Sequence, residues 1–195
     1  MSTLPPFVLV TGNPHKLHEA ARILGFTPEH APIDLPEIQS LDLAAVLQAK
    51  GEAAWKLIGR PLVVEDSGLS LEALGGFPGP LVKWMLEAVG AQGIAETAEA
   101  LGNMAAEARC LVLYRDAECS VMAEGVTRGR LVTPPRGRGG FGWDAIFVPE
   151  GHYATYAELD PEAKDLVGHR GRAWRRLVQQ LVVGSRFGQE SIKHR

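Results

Sequence analysis

Hydrophobic and polar positions along this chain alternate between the two periods that mark strands and helices. Continuous apolar runs at Val8-Leu9-Val10 and Leu62-Val63-Val64 predict buried strands. After the first run, Leu17, Ala20, Ala21 and Leu24 recur at helical spacing, with Asn13 as N-cap, Pro14 at the first helical position and Gly25 as the stop. A second helix is predicted from about Leu41 to Leu57, its apolar stripe being Leu43, Val46, Leu47, Ala54 and Leu57. The order is strand, helix, strand, helix, strand through residue 72, then helices near 80 to 101. Long alternating segments follow at about 106 to 115 and 118 to 133, then a strand at 144 to 148. A final helix after residue 168 carries the stripe Ala173, Trp174, Leu177, Val178 and Leu181. This order predicts an α/β fold, a mixed sheet covered by helices.

The informative residues are those that break the pattern. Lys16 lies in a first helical turn, where a cation opposes the helix dipole, so an anion is expected to share that site with the free N–H groups. An exposed lysine tolerating slight repulsion is the structural alternative. Lys50 falls on the apolar stripe of the second helix, so its ammonium either points inward to an acid or phosphate or snorkels to water. The strand at 62 to 64 runs into Glu65-Asp66-Ser67-Gly68, read as a strand end carrying two carboxylates, a hydroxyl and a turn glycine. Strand ends are where α/β sheets place their chemistry, although a polar turn has the same composition. Glu37, in Asp34-Leu35-Pro36-Glu37, is a candidate second acid for a divalent cation.

Positive charge gathers at a second helix start, Lys164 to Arg172, and two such clusters point to a polyanion such as a triphosphate. Surface salt bridging is the plainer reading of His169 and Arg170. No G-x-x-x-x-G-K-[ST] motif occurs, so this is not a P-loop. In Gly139-Gly140-Phe141-Gly142-Trp143-Asp144, glycines that admit close backbone approach adjoin a stacking indole and a hydrogen-bond-accepting carboxylate. That combination suits a flat heterocycle, and equally a turn with one core aromatic.

Composition narrows the classes. With 195 residues and 46% hydrophobic content the chain supports a substantial core, as one domain or two small lobes. A net charge of -3 argues against a general nucleic-acid binder. No segment approaches the ~20 apolar residues of a membrane span. Cys110 and Cys119, placed in apparent strands, and a start without a signal-peptide pattern point to reduced thiols in the cytoplasm. The tail Ser185 to Arg195 is polar and expected to fray.

Five short blocks, in order, make the chain resemble the inosine triphosphate pyrophosphatase family. They are Thr11-Gly12-Asn13-Pro14-His15-Lys16, Glu65 to Leu69, Gly75 to Pro80, Gly140 to Asp144, and Lys164 to Arg170. The resemblance implies a single domain over 1–195 with an elongated mixed sheet, flanking helices and two lobes around a cleft, in a homodimer. It implies Mg2+-dependent hydrolysis of ITP, dITP or XTP to a monophosphate and pyrophosphate, with Mn2+ as a possible substitute. By position, Asp66, Lys16 and Lys50 inherit catalytic roles, and Asp66 and Glu37 the metal. Asn13 and Lys16 inherit triphosphate contacts, and Thr11 and Ser67 are further candidates for substrate binding. Phe141, Gly142, Trp143 and Asp144 resemble the base clamp, and Lys164, His169 and Arg170 the group that reads the purine edge. Gly168 stands where the family commonly has serine, which bears on base selectivity more than on hydrolysis.

Three other readings stay open at this stage. One is a nucleotide-binding regulator without catalysis, against which intact Asp66, Lys16 and Lys50 count. Another is an RNA-binding module around Arg136-Gly137-Arg138-Gly139-Gly140-Phe141. The last is a pyrophosphatase with a different base preference. Glu158 and Asp160 are either additions to the site or parts of a turn supporting the base clamp.

Overall fold

The computed structural model describes residues 4–190, with side chains to residue 182. Residues 1–3 and 191–195, and with the latter the end of the expected fraying tail, lie outside the described residues. In chain order the elements are β1 (Val8–Val10), α1 (Pro14–Leu24), β2 (Glu29–Ala31), α2 (Leu43–Ile58), β3 (Leu62–Leu71), β4 (Pro78–Gly79), α3 (Val82–Ala100), β5 (Ala105–Arg115), β6 (Ser120–Leu131), β7 (Phe147–Pro149), α4 (Pro161–Val167) and α5 (His169–Glu190). The mixed sheet runs β2-β1-β3-β5-β6-β7, with β4 paired to β3 beyond the reach of β1. β2, β1 and β3 are parallel, and the remaining pairs are antiparallel.

Local chemistry accounts for the first helix. Asn13 Oδ1 accepts the His15 N–H at 2.9 Å, Pro14 occupies the first turn, and Gly25 ends the helix at a φ of 75°. β1 has β2 on one side and β3 on the other, so α1 and α2 cross on opposite faces of the sheet. One face packs Phe7, Leu9, Val63, Val112 and Tyr114 against Trp174 and Leu177 of α5. The other packs Val8, Val10, Leu62, Val64 and Leu113 against Leu43, Leu47 and Ala54 of α2. A third cluster, built on Leu69, Leu71, Val82, Ile94, Phe147 and Tyr156, forms the second lobe. α3 in that lobe is broken at Gly90, whose φ of 69° and ψ of 174° are not helical.

Four expectations are corrected. β3 does not end at Glu65-Asp66: it continues to Leu71, paired residue by residue with β5, so the acids lie in mid-strand. The strand expected at 144 to 148 is confined to Phe147–Pro149, because Asp144 to Ile146 turn to close the preceding loop. Leu57 is 63% exposed, since the buried face of α2 drifts off it in the last turn. Cys119 sits in the exposed β5–β6 turn rather than a strand, while Cys110 is buried in β5, and both are free thiols.

What opens the sheet is a mismatch of strand lengths. β1 pairs with β3 at Leu62 and Val63, and β4 joins only at Leu69 and Ser70. Between them one edge of β3, residues 65–68, faces a cleft at the carboxyl end of β1, where the chain order reverses. On the far side of the sheet the start of α5 is pressed onto β6 at Gly125, where a Cβ would come within 2.0 Å of the His169 carbonyl oxygen and 2.4 Å of the Ala173 nitrogen. Both neighbours are backbone and cannot swing away. Gly125→Ala is therefore expected to cost about 2 kcal/mol and to lower the thermal midpoint by roughly 4–8 °C. An unchanged melting curve would show that α5 is not seated by this contact.

Candidate active site

The period of a strand turns two adjacent acids to opposite faces of the sheet. Asp66, in phase with Val64, points toward α2. There Lys50 Nζ lies 3.1 Å from its Oδ2 and 2.5 Å from Glu37 Oε1. Lys50 is thus buried with two acids rather than snorkelling, the first of the two outcomes its place on the apolar stripe left open. Burial alone would lower its pKa, and the Asp66 and Glu37 carboxylates outweigh this and raise it. Lys16 Nζ approaches Asp66 Oδ1 at 3.5 Å and the Glu65 carbonyl oxygen at 3.4 Å, so the first-turn cation faces a carboxylate of β3 rather than one seated on the α1 N–H groups. Burial pushes the Asp66 carboxyl upward, but Lys16 and Lys50 hold it below the usual range. Its Oδ1 also accepts the Ser67 N–H at 2.9 Å.

Glu65, in phase with Val63, points toward α1 and α5. Its Oε1 accepts from Arg170 Nε and its Oε2 from Trp174 Nε1, each at 2.8 Å. Arg170 also donates to Glu19 Oε2 at 2.5 Å and to Ser67 Oγ at 3.3 Å. Glu19 in turn accepts from Lys164 Nζ at 2.7 Å, and Lys164 donates to Asp144 Oδ2 at 2.6 Å. Burial works against the charge on Glu19, yet Arg170 and Lys164 bring its pKa down to about 2. The short helix α4, capped by Asp160 and followed at once by α5, delivers Lys164 and Arg170 to the same acid.

The glycine-rich loop closes over these cations. Gly140 holds a φ of 71°, and a Cβ there would fall 2.1 Å from Asp144 Oδ2. Its bareness lets that carboxylate take the Phe141 N–H at 2.7 Å and lock the loop to Lys164. Asp144 is therefore committed to the loop and its lysine. Phe141 stacks on His15 with centroids 4.9 Å apart, and its ring lies over Lys164 and Arg170 at 5.1 and 5.4 Å. Trp143 stacks on His169 at 6.2 Å, and His169 lies in turn against Tyr156 at 5.9 Å. The Trp143 indole nitrogen and both His169 ring nitrogens have no protein partner.

A cleft of about 690 Å³ joins these parts. Thr11, Asn13, Lys16, Glu37, Lys50, Asp66, Ser67, Phe141, Gly142 and Trp143 all line it, while Asp144, Lys164, His169 and Arg170 stand behind the aromatic pair. Glu158 and Asp160 do not enter: Glu158 accepts the Thr155 N–H and Asp160 caps α4, the turn-supporting role. Sequence reasoning missed Glu19, whose signal was a carboxylate next to Ala20 on the buried side of α1. It also passed over Lys83, which faces the cleft from α3.

An α/β sheet with an acid–lysine cluster at its switch point and an aromatic clamp over buried cations defines a nucleotide-handling α/β protein. The chain belongs to the Ham1 family, whose model matches residues 7–180. It is 40% identical over 174 residues to an inosine triphosphate pyrophosphatase of Schizosaccharomyces pombe, spanning 87% of this chain and 92% of that one. It is 39% identical over 176 residues to a dITP/XTP pyrophosphatase of Methanopyrus kandleri, spanning 88% and 94%. Among solved structures, a HAM1 protein from Coxiella burnetii superposes with a TM-score of 0.77 at 28% identity, covering 91% of this chain and 98% of that one.

His169 makes the site acid-sensitive. Burial, reinforced by Arg170 and Lys164, holds its pKa well below 6.5, so the folded protein keeps the ring neutral while the unfolded chain protonates it. Stability is full above pH 6.5 and is expected to fall by about 1.4 kcal/mol per pH unit below it, until the folded-state pKa is reached. Denaturant titrations at pH 7.5, 6.0 and 5.0 check this, with His169→Asn flattening the slope. An equal slope in wild type and variant would contradict it.

Proposed function

We propose that this protein hydrolyses the non-canonical purine nucleoside triphosphates ITP, dITP and XTP to the monophosphate and pyrophosphate, using Mg2+. The observation that carries the reading is a single cleft holding an acid–lysine cluster and an aromatic clamp backed by fixed donors. The names of the similar pyrophosphatases support it.

Asp66 and Glu37, drawn together by Lys50, are hard oxygen donors suited to Mg2+, which takes one or two carboxylates and completes its shell with phosphate oxygens and water. No group of three or more His, Cys, Asp or Glu side chains that could hold a metal ion occurs among the described residues. When bound, the metal supplies charge neutralisation and an ordered water. Thr11, Asn13 and Lys16, at the N-terminus of α1, receive the triphosphate, and Lys16 and Lys50 offset the charge that builds as pyrophosphate leaves. Water attacks the α-phosphorus from the Asp66–Glu37 side. Asp66, with its lowered pKa, is suited to hold a cation and orient water more than to take a proton outright.

Phe141 and Trp143 hold the base, and Lys164, His169 and Arg170 lie where its edge is read. Donors fixed toward a 6-oxo group would meet the amino group of adenine unpaired, and such a mismatch discriminates strongly. The 195-residue chain acts as a single catalytic domain of two lobes and works as a cytoplasmic homodimer. A second groove of about 640 Å³ outside the cleft, lined by Leu41, Phe77 and Met122 together with Asp42, Arg109 and Glu124, offers a mixed apolar and charged surface for that pairing. No helix among the described residues is long and apolar enough to cross a membrane.

With Mg2+, kcat/KM for pyrophosphate release from ITP is expected to exceed that from ATP by at least about 100-fold. Asp66→Asn should lower kcat by about 100-fold or more, and Trp143→Ala should raise KM by about tenfold. Equal turnover of ATP and ITP would remove the base reading, and wild-type kcat in Asp66→Asn would remove the metal and water assignment.

A further inference from the structure

Eight ion pairs join nine side chains into one continuous, sign-alternating chain: Asp144, Lys164, Glu19, Arg170, Glu65, Lys16, Asp66, Lys50 and Glu37. The first four stand under the aromatic clamp. The last four stand at the acid–lysine end of the cleft. Glu65 is the one charged side chain, among the described residues, that reaches both groups: its Oε1 is 2.8 Å from Arg170 Nε and 4.0 Å from Lys16 Nζ. Its side chain is 0% exposed. The indole N–H of Trp174 fixes the other oxygen, so the carboxylate cannot rotate to favour one cation. A neutral link runs beside it, where Arg170 donates to Ser67 Oγ at 3.3 Å.

We infer that Glu65 is a positioning residue that couples base recognition to phosphate binding, setting Arg170 and Lys16 from one buried carboxylate. Neither oxygen is available to substrate. Glu65 and Asp66 are consecutive in a strand held by continuous pairing to β5, so a displacement of Arg170 is transmitted over one residue to the Asp66 side. A base seated against Arg170 then favours the Lys16 position that the triphosphate needs. By linkage the phosphates must favour the base equally.

This inference rests on the proposed base and phosphate ends of the cleft, and two half-ligands test it. Calorimetric titration of Mg2+ and inorganic pyrophosphate, with and without saturating inosine, gives the coupling factor. In the wild type, inosine is expected to tighten pyrophosphate binding at least about fivefold. In Glu65→Gln, which keeps the shape and loses the charge, the factor should fall below about twofold even where both ligands still bind. A residue that merely supports the fold would weaken both bindings and leave the factor intact. Should Glu65→Gln not fold, Trp174→Phe frees one Glu65 oxygen and should cut the factor by at least half. The same factor in wild type and variant, or none in the wild type, would overturn the coupling. Failure of the wild type to bind inosine in preference to adenosine would instead count against the proposed base reading.

Discussion

Everything around the cleft answers to one constraint: eight charged side chains share a largely buried site, with Glu37 at its exposed end, and each of the eight is tolerable only because its neighbours carry the opposite sign. An isolated buried ion costs several kcal/mol, and removing one partner of a buried pair costs about 3–5 kcal/mol. The alternating chain from Asp144 to Glu37 meets that requirement with five acids and four cations. It also dictates architecture. α1 brings Lys16 and Glu19, α2 brings Lys50, β3 brings Glu65 and Asp66, and α4 and α5 bring Lys164 and Arg170, so no one of these elements can shift without uncovering a charge.

The sheet makes this arrangement possible through unequal strand lengths. A short β1 and a late-joining β4 leave one edge of β3 facing the cleft, and the pleat sends Glu65 and Asp66 to different faces. The aromatic-clamp end is thereby built from helices on one side of the sheet, and α2 brings Lys50 to the acid–lysine end from the other. The glycines at 125 and 140 serve the same end, one letting α5 press onto β6, the other letting Asp144 tie the aromatic loop to Lys164.

Much of this was legible in the sequence because buried charge disrupts periodicity. Lys16 opposed a helix dipole and Lys50 interrupted an apolar stripe, and both proved to be paired with acids. Most of the order of elements, and the two long alternating segments that pair as β5 and β6, followed from periodicity, while β4 and α4 did not. Other features left no such trace. Glu65-Asp66-Ser67-Gly68 has the composition of a turn, and only pairing with β5 carries it as a strand. Glu19 left only a faint trace, its place next to Ala20 on the buried side of α1, because its partners come from 145 and 151 residues away. α4 is seven residues long, too short for a period to declare itself, and its cap Asp160 had been weighed only as a site or turn residue. Asp144 resembled a free base contact because its commitment to Phe141 and Lys164 depends on the αL turn at Gly140.

The central claim is that the acid–lysine end directs water onto the α-phosphorus of a nucleotide whose base is held at the other end. Hydrolysis of ITP in water enriched in 18O, with both products analysed by mass spectrometry after a single turnover, tests it most directly. One 18O atom in the monophosphate and none in pyrophosphate is the predicted result. Label in pyrophosphate, or release of labelled orthophosphate, would place the attack on another phosphorus and contradict the account.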